Sequence, residues 1–496
     1  MAPRRRHARA RDHRSWLQRL LLAFLALVTA FCLSAAGFVV WVYAKVGELV
    51  RFDEDEVAVA EVAPGETANY LIVGSDSRAN VSPDDPTFGS DSDEVGGTRS
   101  DTIMLARINP ADTEVQIVSF PRDLWLPLAT GRTDRINSAY GQGRQVLIDT
   151  IQQNFGVEIN HYVEVDFNGF RRMVEAIGGV PVYLDAPYRD ERSNLVQAIG
   201  PGCVTLNGET ALAFARSRHL ERQDDDGDWH TDPTADLGRI TRQQFFIRKA
   251  IERVMELNPF TNPLTFTNLL DVAVDSVGVD AGLSNDDLRN LASSFDGFDP
   301  DTIVNYSLPV RGFRTNGGAS VLDLEEGPET DAILNIFRGL EPGEVIPSQV
   351  TVTVRNGSGA ERQGANTADA LSAVGFDATV QGDAEHTAAT TVYYAPGSEA
   401  AARLVARHLT SQAVFQVDEE LEPNHVVLVT GDDFTTVVRQ PWSEEAVPGP
   451  TAATTSTTVT DSSSSSSSTT TSTTAPPTTT TTHVGFLPEA PPDVEC

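Results

Sequence analysis

The strongest hydrophobic feature of the chain is an uncharged run from Leu20 to Tyr43, preceded by Arg4, Arg5, Arg6, Arg9, Arg11, Arg14 and Arg19. A helix needs about 20 apolar residues to cross a ~30 Å hydrocarbon core. The run therefore predicts a transmembrane helix over 20–43, with residues 1–19 as a basic cytoplasmic segment. A cleaved signal peptide is the rival reading, and Ser34-Ala35-Ala36 resembles its cleavage site. The apolar run continues beyond that point, which favours an uncleaved signal-anchor. The expectation is a single-pass cell-membrane protein with a cytoplasmic N-terminus and everything after Lys45 extracytoplasmic.

Beyond an acidic stretch read as a stalk (44–68), short apolar strands alternate with segments of helical period. Asn69–Gly74 reads as a buried strand. Thr102–Ile108 and Val115–Phe120 read as two more, joined by the turn at 109–112. Val146–Phe155 is helical, His161–Val165 a strand, and Phe167–Ile177 a helix stopped by Gly178-Gly179. Val180–Leu184 is a strand, and Asn207–Ser217 and Leu237–Met255 are helices. This alternation predicts a layered α/β/α domain over 69–340 with a mixed central sheet. A smaller α/β unit follows at 349–435: strands begin at Val350, Ala378, Thr391 and Val426, and helices span 364–374 and 398–409. Binding or scaffolding suits it better than catalysis. Residues 447–496 open on a run of Ser, Thr and Pro that cannot bury enough apolar surface to order itself. That run reads as a disordered spacer through the wall, with Phe486–Cys496 more varied.

The formal charge of -33 argues against a nucleic-acid partner. It also makes local arginine clusters conspicuous. Of three cysteines, Cys32 lies in the apolar run, while Cys203 and Cys496 could pair in an oxidising compartment; the sequence does not decide this. Charged residues recur where strands end or helices begin: Gly74-Ser-Asp-Ser-Arg78, Arg99-Ser-Asp101, Pro121-Arg-Asp123, Arg216-Ser-Arg218 and Gly238-Arg-Ile-Thr-Arg-Gln-Gln244. Arg239 and Gln243 share a helix face near a helix N-terminus, which favours anions. Guanidinium forks match phosphate oxygens. Asp76 and Asp101 would repel a phosphate unless a hard cation, Mg2+ or Mn2+, bridged them. Taken singly, each residue also fits an ordinary surface ion pair.

These segments carry a resemblance to the LytR-CpsA-Psr family of wall glycopolymer ligases. GSDSR, RSDTIMLARINP, VSFPRD, RINSAY, YVEVDFNGF, AIGGV, LNGETALAFARSR and DLGRITRQQ occur in family order between Asn69 and Arg248. The 349–435 unit resembles the LytR C-terminal domain found behind it, as in actinobacteria. The resemblance implies a polyprenyl chain buried in an apolar pocket with its diphosphate at the mouth. It implies Asp76 and Asp101 as metal ligands, and Arg99, Arg122, Arg216, Arg218, Arg239 and Gln243 on the diphosphate. Arg99, Asp101, Arg122 and Arg239 would be catalytic. The partners implied are a polyprenyl-diphosphate-linked glycan and a peptidoglycan hydroxyl, that of the 6-position of N-acetylmuramic acid. Phe245, Phe246 and Ile247 pack in the core or line the lipid pocket.

The chain departs from the family at Arg135, where lysine is usual, and in acidic loops at 81–97 and 221–236. Two other functions remain open: a non-catalytic membrane regulator or lipid-glycan sensor, and a polyprenyl-diphosphate pyrophosphatase. His161 reads as structural, and Asp224–Asp228 as a solvated acidic turn. Trp229 is either a loop anchor or a sugar platform.

Overall fold

The computed structural model describes residues 29, 32–34, 36–75, 100–111, 114–259, 261–295, 298–340 and 344–442, with 486, 491, 494 and 496. Half of the predicted membrane span falls outside them. Its described part is helical and continues through 36–46. Among the described residues no helix is long and apolar enough to cross a membrane.

Seven strands form the central sheet: β1 (Val50–Phe52), β2 (Ala68–Ser75), β3 (Ser100–Asn109), β4 (Glu114–Ser119), β5 (His161–Asp166), β6 (Val277–Asp280) and β7 (Val304–Ser307). Their spatial order is β1-β6-β5-β2-β3-β4-β7. The sheet is mixed: β2 pairs parallel with β5 and antiparallel with β3.

Successive side chains of a strand face opposite ways, and β2 and β3 are apolar on both faces. Leu71, Val73, Ile103 and Leu105 pack under helices Ile136–Gln142, Arg144–Phe155 and Pro328–Arg338. Tyr70, Met104 and Ala106 pack on the other side against Ile247, Ile251 and Leu288. Three layers result. On that second side lie the helices that matter for the site: α1 (Phe167–Ala176), α2 (Gly208–Arg216) and α3 (Asp236–Glu256). After α1 the chain turns through Gly178 and Gly179, both at positive φ (78° and 84°), which glycine adopts without steric cost.

The expected stalk is part of this domain. Val50–Phe52 pairs in parallel with β6 at the sheet edge, and Val57 is buried in the core. Three residues of strand surrounded by acids carry too little pattern to be read without their distant partner.

Glu164 on β5 is buried yet well supplied with donors. It accepts hydrogen bonds from Arg144 Nε at 2.7 Å and from the hydroxyls of Tyr140 and Tyr162, each at 2.8 Å. Burial pushes its carboxyl up, but Arg144 and the two tyrosines outweigh that and hold it below the ordinary carboxylate range. A depressed folded pKa stabilises the fold above the unfolded value, and the gain is lost as pH falls through the folded value. The urea midpoint of the wild-type chain should therefore drop on acidification. A Glu164→Gln chain should start lower and show a flatter pH slope; an unchanged slope would count against this assignment.

The second unit is a five-stranded sheet in the order Asp377–Asp383, Thr351–Asn356, His425–Thr430, Thr391–Tyr394, Val414–Val417. Helices Gln363–Ser372 and Glu399–Arg407 pack on it.

The C-terminal stretch was expected to be a disordered spacer, and its described residues return to the first domain. Cys496 is bonded to Cys203. Phe486 packs against the cluster under α1–α3, and its backbone N–H donates to Asp232 Oδ2 at 3.2 Å. The Ser/Thr/Pro run itself lies outside the described residues.

Candidate active site

Between the sheet and helices α1, α2 and α3 lies a cavity of about 350 Å3. Ile72, Met104 and Val165 supply its sheet wall. Phe170, Met173, Leu212, Phe246, Ile247 and Val254 are among its helical lining. Phe246 and Ile247 thus face it, whereas Phe245 packs with the cluster beyond. The rim carries Asp101, Asp166, Arg216 and Gln243.

Sequence-distant segments deliver the rim charges. Asp101 is the second residue of β3, and Arg122 follows the end of β4, which pairs beside it. Arg122 Nη1 donates to Asp101 Oδ1 at 2.6 Å. Arg216, the last residue of α2, lies 3.7 Å (Nε) from Asp101 Oδ2. Its guanidinium stacks on Phe167, 4.2 Å from the ring centroid, at the seam between apolar wall and charged rim. Arg239 sits in the first turn of α3, buried, with Nη2 3.1 Å from Asp236 Oδ1. Gln243, one turn on, donates from Nε2 to the Ala215 carbonyl at 3.2 Å, tying α3 to the end of α2. Arg218 is exposed and close enough to bear on both Asp236 and Arg239.

Asp123 completes the cluster, with Oδ1 3.0 Å from Arg135 Nε and Oδ2 3.7 Å from Arg122 Nε. Five guanidinium groups (Arg122, Arg135, Arg216, Arg218, Arg239) thus face three carboxylates (Asp101, Asp123, Asp236); with Asp166 at the cavity edge counted as well, a formal excess of one positive charge remains among these described residues. An anion suits such a site.

The carboxylates are not equivalent. Burial pushes Asp101 up, but Arg239, Arg122 and Arg216 together hold it below its ordinary value and ionised. For Asp236 burial prevails over Arg239 and Arg122, with Asp123 adding to it, and its pKa is raised. Burial lowers the Arg239 pKa against the pull of Asp236 and Asp101; an arginine nonetheless remains charged at neutral pH.

Asp76 and Arg99 lie outside the described residues. Their described neighbours, Ser75 and Ser100, are opposite one another in the β2–β3 ladder. Two features escaped the sequence reading. Asp236 stands three residues before Arg239 and so shares its helix face, a spacing that could have revealed it. The other is the pair Arg242 and Asp232, both side chains fully buried and 2.6 Å apart. Arg242 Nη2 also donates to the Ser217 carbonyl at 2.7 Å, which fixes the backbone between Arg216 and Arg218. A Cβ at Gly238 would collide with Thr234 Oγ1 and Asp232 Oδ2, so this pair explains the glycine.

Other sequence candidates have local roles. His161 lies 3.4 Å (Nδ1) from Asp280 Oδ2 and packs on Tyr70. Asp224 caps its own turn, accepting from Asp226 and Asp228. Trp229 lies under the Arg189 guanidinium at 4.1 Å.

Comparison with known proteins follows the same division of the chain. The sequence model of the LytR_cpsA_psr family matches residues 44–335. One described as LytR cell envelope-related transcriptional attenuator matches 349–434. The chain is 30% identical over 207 residues to the polyisoprenyl-teichoic acid–peptidoglycan teichoic acid transferase TagU of Enterococcus faecalis, covering 41% of this chain and 62% of that one. It is 29% identical over 261 residues to the probable cell wall biosynthesis protein LcpB of Corynebacterium glutamicum, covering 52% and 58% respectively. The match thus spans less than two thirds of these relatives. Among solved structures, a LytR-Csp2A-Psr enzyme from Actinomyces oris aligns over 59% of this chain and 97% of that one, with 22% identity and a TM-score of 0.45.

Proposed function

The chain belongs to the LytR-CpsA-Psr family, and from that premise we propose that it moves a phosphoglycan from a polyprenyl-diphosphate carrier to a sugar hydroxyl of peptidoglycan, as a phosphotransferase anchored in the cell membrane. One observation carries this reading: an apolar cavity opens directly onto a rim with excess positive charge. A donor with a hydrocarbon tail and a diphosphate head has that same division.

The prenyl chain occupies the cavity, and each methylene it buries contributes about 0.8 kcal/mol. Arg122, Arg216 and Arg239 bind the diphosphate, with Arg218 at the exposed side and Arg99 as a further ligand from the resemblance. The acceptor hydroxyl attacks the glycan-side phosphorus. A new P–O bond forms, the P–O bond to the bridging oxygen breaks, and polyprenyl phosphate leaves with the electron pair. The guanidinium groups neutralise charge that develops on the phosphoryl oxygens, the main requirement of such transfers. Asp123 is the most exposed of the three carboxylates, at 26% against 15% for Asp101 and 13% for Asp236. We assign it the hydroxyl proton.

Asp101 offers a magnesium ion one hard oxygen donor, Oδ2, which lies 3.7 Å from Arg216 Nε while Oδ1 is held by Arg122. Among the described residues no group of three or more metal-ligating side chains occurs. The ion would therefore take Asp101, with Asp76 as its sequence-assigned companion, and otherwise phosphate oxygens. When bound, Mg2+ or Mn2+ supplies further charge neutralisation.

The test is to incubate the full chain in vesicles with a polyprenyl-diphosphate glycan, Mg2+ and peptidoglycan. Conjugated glycan is expected. Free glycan phosphate instead would make the protein a pyrophosphatase, and donor binding without product a sensor. An Ala250→Trp chain, with bulk added to the cavity wall, should raise the donor KM by tenfold or more, since displacing two methylenes costs about 1.6 kcal/mol. An unchanged KM would remove the cavity from the mechanism.

A further inference from the structure

Helix Pro263–Val274 stands apart from the acidic surface around it. Its sequence, PLTFTNLLDVAV, holds one charged residue, Asp271; Val274 is buried, Pro263, Leu264 and Asn268 are exposed, and the rest are half-buried. Leu264, in its first turn, is 77% exposed.

Its neighbour is the helical segment 36–46, where the predicted membrane span ends. Phe38 of that segment packs on Phe266 with ring centroids 6.2 Å apart. Lys45 Nζ lies 3.3 Å from Asp271 Oδ1, so even the single charge is answered from the anchor side. Val39, Val40, Trp41 and Tyr43 of the same segment are exposed. Exposed apolar side chains gathered on two touching helices mark an interaction site, and Trp and Tyr favour the membrane–water interface. On the opposite side, Leu269 packs against the cluster containing Val174, Ile177 and Phe246, residues that also line the cavity. One helix thus joins the foot of the anchor to the cavity wall.

We propose that Pro263–Val274 is a membrane-contact helix, resting in the outer interface of a phospholipid bilayer beside the point where the anchor emerges. The occupant of its exposed face is the bilayer itself. The contact sets α1 and α3 against the membrane, so that a prenyl chain passes from lipid to cavity with little exposure to water. That passage rests on the donor reading above, and the bilayer contact only on the proposed membrane anchor.

The test uses the full chain in phosphatidylglycerol–phosphatidylethanolamine vesicles, with Cys32→Ser and one environment-sensitive label at Leu264→Cys. The control label is Val380→Cys in the second domain, where the residue is 49% exposed. Doxyl-labelled phospholipid should quench the label at 264 about threefold or more above that at 380, as for an interfacial amphipathic helix. Aqueous iodide should show the reverse order. Equal behaviour of the two labels toward both quenchers overturns the proposal. This readout needs no turnover, so it stands or falls separately from the transferase assay. In that assay, Leu264→Asp should slow transfer from a bilayer-embedded donor about tenfold and leave a short-chain, water-soluble donor unaffected. An equal loss with both donors would assign the helix a structural role and overturn the membrane contact.

Discussion

An Arg239→Ala chain is expected to lose about a hundred- to a thousandfold in transfer turnover, the usual cost of removing one preorganised electrostatic donor. Arg239 is 2% exposed, held in the first turn of α3, and bears on both Asp101 and Asp236. Its charge is therefore fixed before substrate arrives, and no reorganisation is needed as charge builds on the phosphoryl group. Truncation also leaves Arg122, 3.5 Å away, as the one ion-pair partner of the largely buried Asp236 among the described residues, so stability falls with activity. The double chain Asp236→Asn/Arg239→Gln separates the two effects. It should recover much of the lost melting temperature and none of the turnover. Turnover of Arg239→Ala within threefold of wild type, at saturating donor, would remove Arg239 from the mechanism.

The largest stability effect is expected at Arg242. Arg242→Met leaves Asp232 without its ion-pair partner at a position with no solvent access, and breaking such a pair costs about 3–5 kcal/mol. The loss should appear as a lower urea midpoint by circular dichroism. Asp232→Asn/Arg242→Met should regain part of it, because no uncompensated charge remains. Turnover should fall in both chains, since each frees the Ser217 carbonyl between Arg216 and Arg218. A loss below about 1 kcal/mol in the single variant would mean that water reaches Asp232.

The residues that form the central strands announce themselves. Leu71, Val73, Ile103 and Leu105 alternate with Tyr70, Ile72, Met104 and Ala106, and a strand apolar on both faces must lie between two layers. Helices α1, α2 and α3 were legible from apolar spacing and from Gly178-Gly179. The short strands were not: Val50–Phe52, Val277–Asp280 and Val304–Ser307 are three or four residues each. They become strands only by pairing with β4, β5 or one another across long separations. Helix Ile136–Gln142 was hidden by polar Asn137, Ser138 and Gln142, although Ile136 and Ala139 face the core.

At the site, Asp101, Arg122, Arg216, Arg218, Arg239 and Gln243 are brought to one rim, as their positions at element ends suggested. Asp76 and Arg99 fall outside the described residues. Partnerships were beyond the sequence. Nothing local says that Asp123 meets Arg135 or that Asp232 meets Arg242, because those contacts depend on how strands and helices stack. The raised pKa of Asp236 likewise follows from burial that only the folded chain creates.

The bond between Cys203 and Cys496 joins residues 293 apart in sequence. Closing so long a loop removes far more freedom from the unfolded chain than from the folded one, so a reductant should lower the melting temperature of the first domain. Cys496 then works as a covalent clasp, shut in oxidising surroundings and open wherever thiols are kept reduced.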